Sequence, residues 1–421
     1  MPEMGAWMRI KLAISPCRQW LRRLCLLACV WYLSGCGGGG SSGDSPPIVV
    51  PEPPPIVDPA SPVTNVNGPG HFTDAILLKT LSAAEVASEI ELAGKSEPYL
   101  KPKYAVKAYR LTYLTLDGYG QEILASALVV VPQKPAGVPS PLLSYQHATI
   151  ETDLEAPSSL AEPASPELII ASMGYIVQAA DYVGYGASKG AEHPYLLSAP
   201  SASAVIDLLT AAKYWRQTQG IVDNRQLFLT GYSEGGYVTM AAHRALQGGN
   251  STHRQELVSV MPAAGPFNVL LTLDEAMKLA RQQYPVLGFF LSPGFLHLLS
   301  DSDRDNVRDF VLKLLLGGES DVTFMPTVLG NYFADNRSAI ETQSNVDVWR
   351  PEVPVHLFHG RDDTTVSYLN SSHTLRVMQD QGAGALVSLT DCNVKPAGHL
   401  ECVPPYFEFM LSTFGKVAKD L

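Results

Sequence analysis

The chain has 421 residues, 46% of them apolar and 17% charged, enough to bury a large core without disulfide or metal staples. Its formal net charge is −11, and the first 36 residues oppose it: they hold Arg9, Lys11, Arg18, Arg22 and Arg23 against Glu3, which leaves −15 on the remainder. A body that acidic excludes nucleic acid as the expected partner, because phosphate binding needs clustered Lys and Arg.

Taken in chain order, the basic residues ending in Arg22 and Arg23 precede an apolar run over 24–32. A charged stretch followed by a short apolar one is the pattern of an export signal, and the run is too short to span a bilayer comfortably. Leu33-Ser34-Gly35-Cys36 resembles the bacterial lipobox, which implies a lipidated Cys36 as the new terminus. Cys17, Cys25 and Cys29 would leave with the signal. Gly37 follows the cysteine where an Asp would resemble inner-membrane retention, so the expectation is an exported lipoprotein of the outer membrane. Residues 37–70 then form a tether, first Gly and Ser, then Pro-rich and stiff. The expected division is signal 1–36, tether 37–70 and folded domain 71–421.

Ordered sequence is expected from about His71. Ser82-Ala83-Ala84-Glu85 is a capping box that opens a helix ending before Gly94. Residues 104–116 and 123–131, joined at Asp117-Gly118, read as a hairpin of long strands. Short apolar runs at 142–145, 175–179, 227–230, 257–260 and 355–358 read as buried parallel strands, with helical spacing at 202–215 and 237–246. An antiparallel start followed by alternating strands and helices predicts an α/β fold: a mostly parallel sheet covered by helices on both faces. About 266–350 breaks the rhythm. Helical, apolar stretches at 270–283, 289–299 and 307–316, without a clear strand, predict a helical insertion.

Gly231-Tyr232-Ser233-Glu234-Gly235 matches G-x-S-x-G, between a strand-like run and a helix. A serine on such a turn sits beside a helix amino end, whose N–H groups and partial positive charge suit a developing oxyanion. Serine is a weak nucleophile and needs a base and an orienting acid; in a fold of this class they follow it in the order acid, then His. Two aspartates compete for the acid in His359-Gly360-Arg361-Asp362-Asp363-Thr364-Thr365-Val366, at the end of a strand. Asp363 fits a G-x-x-D-x-x-V arrangement, leaving Asp362 as a turn or cap residue.

Among the histidines, His71, His253 and His297 fall in polar or insertion segments, and His243 and His356 read as core or interface residues. His373 falls on the helix after the acid, and His359 precedes the acid, the wrong order. His399 remains, in a Gly-His loop between the strand 385–389 and the last helix, near Tyr406. Cys392 and Cys402 bracket that loop and are expected to pair in an oxidising compartment. A second oxyanion donor is expected from the loop Ser144-Tyr145-Gln146-His147-Ala148-Thr149.

Together with Asp181-Tyr182-Val183-Gly184-Tyr185-Gly186 and His193-Pro194-Tyr195-Leu196, these motifs resemble the α/β-hydrolase superfamily, and within it the secretory-lipase-like bacterial esterases. The resemblance covers roughly 103–414, and the helical insertion corresponds to that group's cap. It implies carboxylester hydrolysis through an acyl-enzyme on Ser233, His399 and Asp363, with Glu234 N–H and the Ala148 region as the oxyanion hole. It implies no metal and no organic cofactor, and a small-molecule or lipid ester as substrate. Ala148 departs from the His-Gly familiar in relatives. Two readings compete: a peptidase of the same fold acting on short peptides, and a noncatalytic ligand-binding lipoprotein. The retention of all three members in order counts against the latter.

Overall fold

The structure is a computed structural model that describes residues 63–283, 300, 302–303 and 320–421. Nine strands form one sheet: β1 (Phe72–Leu81), β2 (Val106–Leu116), β3 (Glu122–Pro132), β4 (Ser140–Gln146), β5 (Ile176–Ala180), β6 (Asp223–Tyr232), β7 (Leu257–Ala263), β8 (Val355–His359) and β9 (Val387–Asp391). Their spatial order is β1-β2-β3-β5-β4-β6-β7-β8-β9. The first three pair antiparallel, β3 runs antiparallel to β5, and every pair from β5 to β9 is parallel. This is the α/β-hydrolase architecture, antiparallel at its start and parallel where the site lies.

The described helices are α1 (Ala83–Leu92), α2 (Pro157–Leu160), α3 (Pro166–Ser172), α4 (Ser198–Thr218), α5 (Glu234–Gly248), α6 (Val269–Gln283), α7 (Thr327–Phe333), α8 (Arg337–Gln343), α9 (Leu369–Asp380) and α10 (Val403–Gly415). The capping box at the start of α1 is present in full: Ser82 Oγ accepts from Glu85 N–H, and the Glu85 carboxylate accepts from Ser82 N–H. In the β2–β3 hairpin, registered from Val106 opposite Pro132 to Leu116 opposite Glu122, the Asp117 carboxylate accepts N–H groups of Tyr119 and Gln121 to close the turn.

Alternation of side chains along β2 explains why both faces are covered. Val106 and Ala108 enter a core with Val86 and Ile90 of α1, Leu168 and Ile169 of α3, and Tyr406, Met410 and Phe414 of α10. On the opposite parity, Tyr113 donates its hydroxyl hydrogen to Ala204 O, and Thr115 donates to the Asp207 carboxylate, both on α4. Strands β4 and β5 are buried along their whole length, as central parallel strands are.

Ahead of the first strand, Asn65 exchanges two hydrogen bonds with Phe72. Two expectations need revision. Strand β1 was not expected, because its apolar residues Ile76, Leu77 and Leu78 are consecutive and exposed, and irregular register on either side breaks the alternation. Residues 144–146 belong to β4, so the loop that follows begins at His147. Within the insertion, α6, α7 and α8 are helical and no described strand lies between β7 and β8. The stretches 289–299 and 307–316 lie outside the described residues. Among the described residues no helix is long and apolar enough to cross a membrane.

Candidate active site

Strand β6 delivers Ser233 at its carboxyl end, on a turn with φ +59° and ψ −123°, a conformation that L side chains rarely adopt. The surrounding glycines make room for this turn. A Cβ on Gly231 would stand 2.3 Å from Gly235 O, one on Gly235 would stand 2.0 Å from Gln146 O, and one on Gly236 would stand 2.4 Å from Ala263 O. Main chain therefore meets main chain on three sides of the serine. Ser233 N–H donates to Ala263 O at 2.9 Å, and Tyr237 N–H donates to Ser233 O as the first bond of α5. Glu234 opens that helix, where first-turn N–H groups have no intrahelical acceptor.

The structure brings Ser233, His399 and Asp363 into one row. Ser233 Oγ lies 2.9 Å from His399 Nε2, and His399 Nδ1 lies 2.6 Å from Asp363 Oδ2. The carboxylate can only accept, so Nδ1 carries the hydrogen and Nε2 is left to accept from the serine hydroxyl. Asp363 is buried within the loop after β8, with its Oδ1 accepting N–H groups of Thr365 and Val366 at 2.9 Å each. Burial by itself would raise this carboxyl; hydrogen bonds from His359 and His399, with their charges, outweigh it and hold it at about 2.

His359, set aside on sequence order, lies on the acid instead of on the serine. Its Nε2 is 3.1 Å from Asp363 Oδ2 and 2.9 Å from Val366 O, so Nε2–H donates, while the Ser371 hydroxyl donates to Nδ1 at 2.7 Å. Asp362, expected to be a turn or cap residue, joins the acid loop to the base loop. Its N–H donates to Ala397 O at 3.0 Å and its Oδ2 accepts Ala397 N–H at 2.8 Å. Gly360 permits the close approach, since a Cβ there would stand 2.1 Å from Ala397 O. The sulfurs of Cys392 and Cys402 lie 2.14 Å apart, at bonding distance, across the same loop. Tyr232 OH donates to His399 O at 2.7 Å, tying the base loop to the nucleophile strand.

The loop after β4 packs on the first turn of α5. The buried His147 ring stacks on Tyr182 at 4.0 Å between centroids, and Tyr182 OH donates to His147 O. Burial lowers the His147 pKa, and its Nδ1 lies 2.7 Å from Ala148 O. Ala148 itself is half-buried in this loop, next to the elbow contacts of Gln146 and His147.

The remaining histidines have other partners. His243 is buried edge-on to Trp349, His253 pairs with Glu256, His373 with Asp347 and His356 with Ser388, while His71 contacts Val66 O. His297 lies outside the described residues. The buried Asp181 carboxylate of the D-Y-x-G-x-G stretch accepts from Ser126 and from both the N–H and hydroxyl of Ser158. That network braces the loop after β5. Among the described residues, no group of three or more His, Cys, Asp or Glu is arranged to hold a metal ion.

Fold and site together define an α/β-hydrolase fold with a Ser-His-Asp row at the carboxyl ends of its parallel strands. Residues 165–248, from the start of α3 to the end of α5, match a family model described as the prolyl oligopeptidase family. A ligand-bound structure of the rice cell wall degrading esterase LipA from Xanthomonas oryzae is similar, with TM-score 0.63 and 22% identity over 82% of this chain and 98% of that one. Another structure of the same esterase gives TM-score 0.61 and 24% identity over 82% and 96%. Candida antarctica lipase A gives TM-score 0.51 and 15% identity over 79% and 78%. A comparison with curated protein sequences returned no match.

Proposed function

We propose that this protein is a serine carboxylester hydrolase that works through an acyl-enzyme. The observation that carries the reading is the row from Ser233 Oγ through His399 to Asp363 on a strained strand-to-helix turn. Ser233 attacks the ester carbonyl as His399 Nε2 takes its proton, and Asp363 holds the tautomer and stabilises the imidazolium. The tetrahedral oxyanion receives Glu234 N–H at the positive end of α5 and a second N–H from the Ala148 region. His399 then protonates the departing alcohol, and a water activated by the same histidine releases the acid and restores Ser233.

The esterase and lipase names of the similar structures support ester substrates over peptides, small or lipid. The prolyl oligopeptidase match supports a peptidase less, because it spans the elbow and leaves out Asp363 and His399. The test is hydrolysis of p-nitrophenyl esters of increasing acyl length beside an aminopeptidase panel, with a fluorophosphonate probe. Labelling at Ser233 and a loss of about 10⁵–10⁶-fold in Ser233→Ala are expected, as for removal of a triad nucleophile. Label on another serine, or full activity in the variant, overturns the assignment. Cleavage of peptides alone replaces the esterase with the peptidase.

The same reading includes a disulfide between Cys392 and Cys402, a cap formed by 266–350, a tether over 37–70 and export as an outer-membrane lipoprotein anchored at Cys36. The lipobox-like stretch and the Gly/Pro-rich tether behind it support the anchor. Mass spectrometry of the membrane fraction should find a lipidated Cys36 terminus, absent in Cys36→Ser. An unmodified terminus elsewhere contradicts it.

A further inference from the structure

His193, in the H-P-Y-L stretch, has no place in the reaction described so far, yet it is bonded on three sides. Its Nε2 lies 2.8 Å from Glu234 Oε1, one residue past the nucleophile, and its Nδ1 lies 2.8 Å from Val183 O. The carbonyl can only accept, so Nδ1 carries a hydrogen, and a proton also lies between Nε2 and the carboxylate. Both side chains are almost wholly buried. On the main chain, His193 N–H donates to Thr323 O at 2.7 Å and Met325 N–H donates to His193 O at 2.9 Å. Thr323 and Met325 lie within the insertion, in the stretch just before α7. Gly184 sits against the residue, since a Cβ there would stand 3.0 Å from His193 Cβ, and Tyr185 and Phe324 close edge-on over the ring.

A buried carboxylate costs stability unless it is paired and hydrogen-bonded, so Glu234 requires a partner, and its backbone N–H is the same group assigned to the oxyanion. We propose that His193 is a positioning residue. Gripped by Thr323 and Met325, it fixes Glu234, and with it the oxyanion-binding N–H, relative to this stretch of the insertion. The inference rests on the hydrolase reading above. Changes at the insertion are thereby transmitted to the oxyanion donor through one imidazole.

Two variants separate this role from mere packing. In His193→Gln the side-chain amide reaches as far as Nε2 and keeps the Glu234 contact; in His193→Asn it reaches only as far as Nδ1 and keeps the Val183 contact. On p-nitrophenyl butyrate, His193→Asn should lose about 10- to 100-fold in kcat, because a misplacement of about an ångström away from the chemistry has that scale of effect. KM should stay within about threefold, the split expected when transition-state rather than ground-state contacts are lost. His193→Gln should keep clearly more of kcat at a similar melting temperature. Equal kcat in the two variants, or losses that follow their melting temperatures, overturns the inference. Should His193→Asn not fold, Glu234→Gln against Glu234→Ala gives the same contrast, and equal kcat there overturns it. Wild type that neither hydrolyses the ester nor takes the fluorophosphonate at Ser233 overturns the hydrolase reading and this inference together. Label at Ser233 with equal variants overturns this inference alone.

Discussion

At the nucleophile turn, backbone packs on backbone: Gly231, Gly235 and Gly236 leave no space for a Cβ, and the serine's strained φ is enforced by the chain on either side. At the acid and base loops, by contrast, side chains hold the geometry. Asp362 clasps Ala397, His359 braces Asp363, and Tyr232 reaches His399 O. The first region is rigid by exclusion and tolerates no added atom. The second is assembled from separable bonds, so its members can be removed one at a time and their shares measured.

The largest effect that separates the regions should come from neighbouring aspartates. Asp363→Asn should lower kcat by about 10⁴-fold, since an amide in that place favours the wrong histidine tautomer. Asp362→Asn should lose less than about tenfold, because an amide oxygen still accepts Ala397 N–H. Steady-state ester kinetics check both, and reversal of the two would move the acid to Asp362. Next, replacing Cys392 and Cys402 with Ser should lower stability by about 2–4 kcal/mol, as for loss of a loop-closing disulfide. It should also lower kcat more than it raises KM, because the base loop is loosened. Thermal melts and alkylation with and without reductant check this; two free thiols in the native protein contradict it.

Gly235→Ala probes the other region. The added Cβ meets main-chain oxygen on both Gln146 and His147, neither of which can rotate away. A loss of about 1–3 kcal/mol is expected from such overpacking, read by urea unfolding, and an unchanged midpoint would show that the turn can give way. The smallest effect concerns acid. Asp363 is held at about 2 against an ordinary 3.8, so its folded pKa is depressed. The stability it contributes is complete above about pH 4 and fades as pH falls toward about 2. Unfolding free energies at pH 5 and pH 3 should therefore fall more steeply for wild type than for Asp363→Asn, and parallel slopes would remove Asp363 from the acid response.

Much of the parallel half was legible because each buried strand is a continuous apolar run and each helix keeps its spacing. The hairpin and the capping box were legible because their signals are local: Asp117 and Ser82 bond to residues within a few positions. The G-x-S-x-G stretch belongs with them, since its glycines announce a turn that only small residues can make. Strand β1 was hidden because an edge strand with exposed Ile76, Leu77 and Leu78 carries no alternation to read. What only the tertiary structure decided lies between distant segments. Nothing in the order of residues says that Asp362 holds a loop 35 positions away, or that His193 meets Glu234 across 41. Those bonds follow from where parallel strands place their carboxyl ends, side by side in the sheet though far apart in the chain. A sequence pattern registers the neighbours of a residue along the chain, and a buried hydrogen bond depends on its neighbours in space.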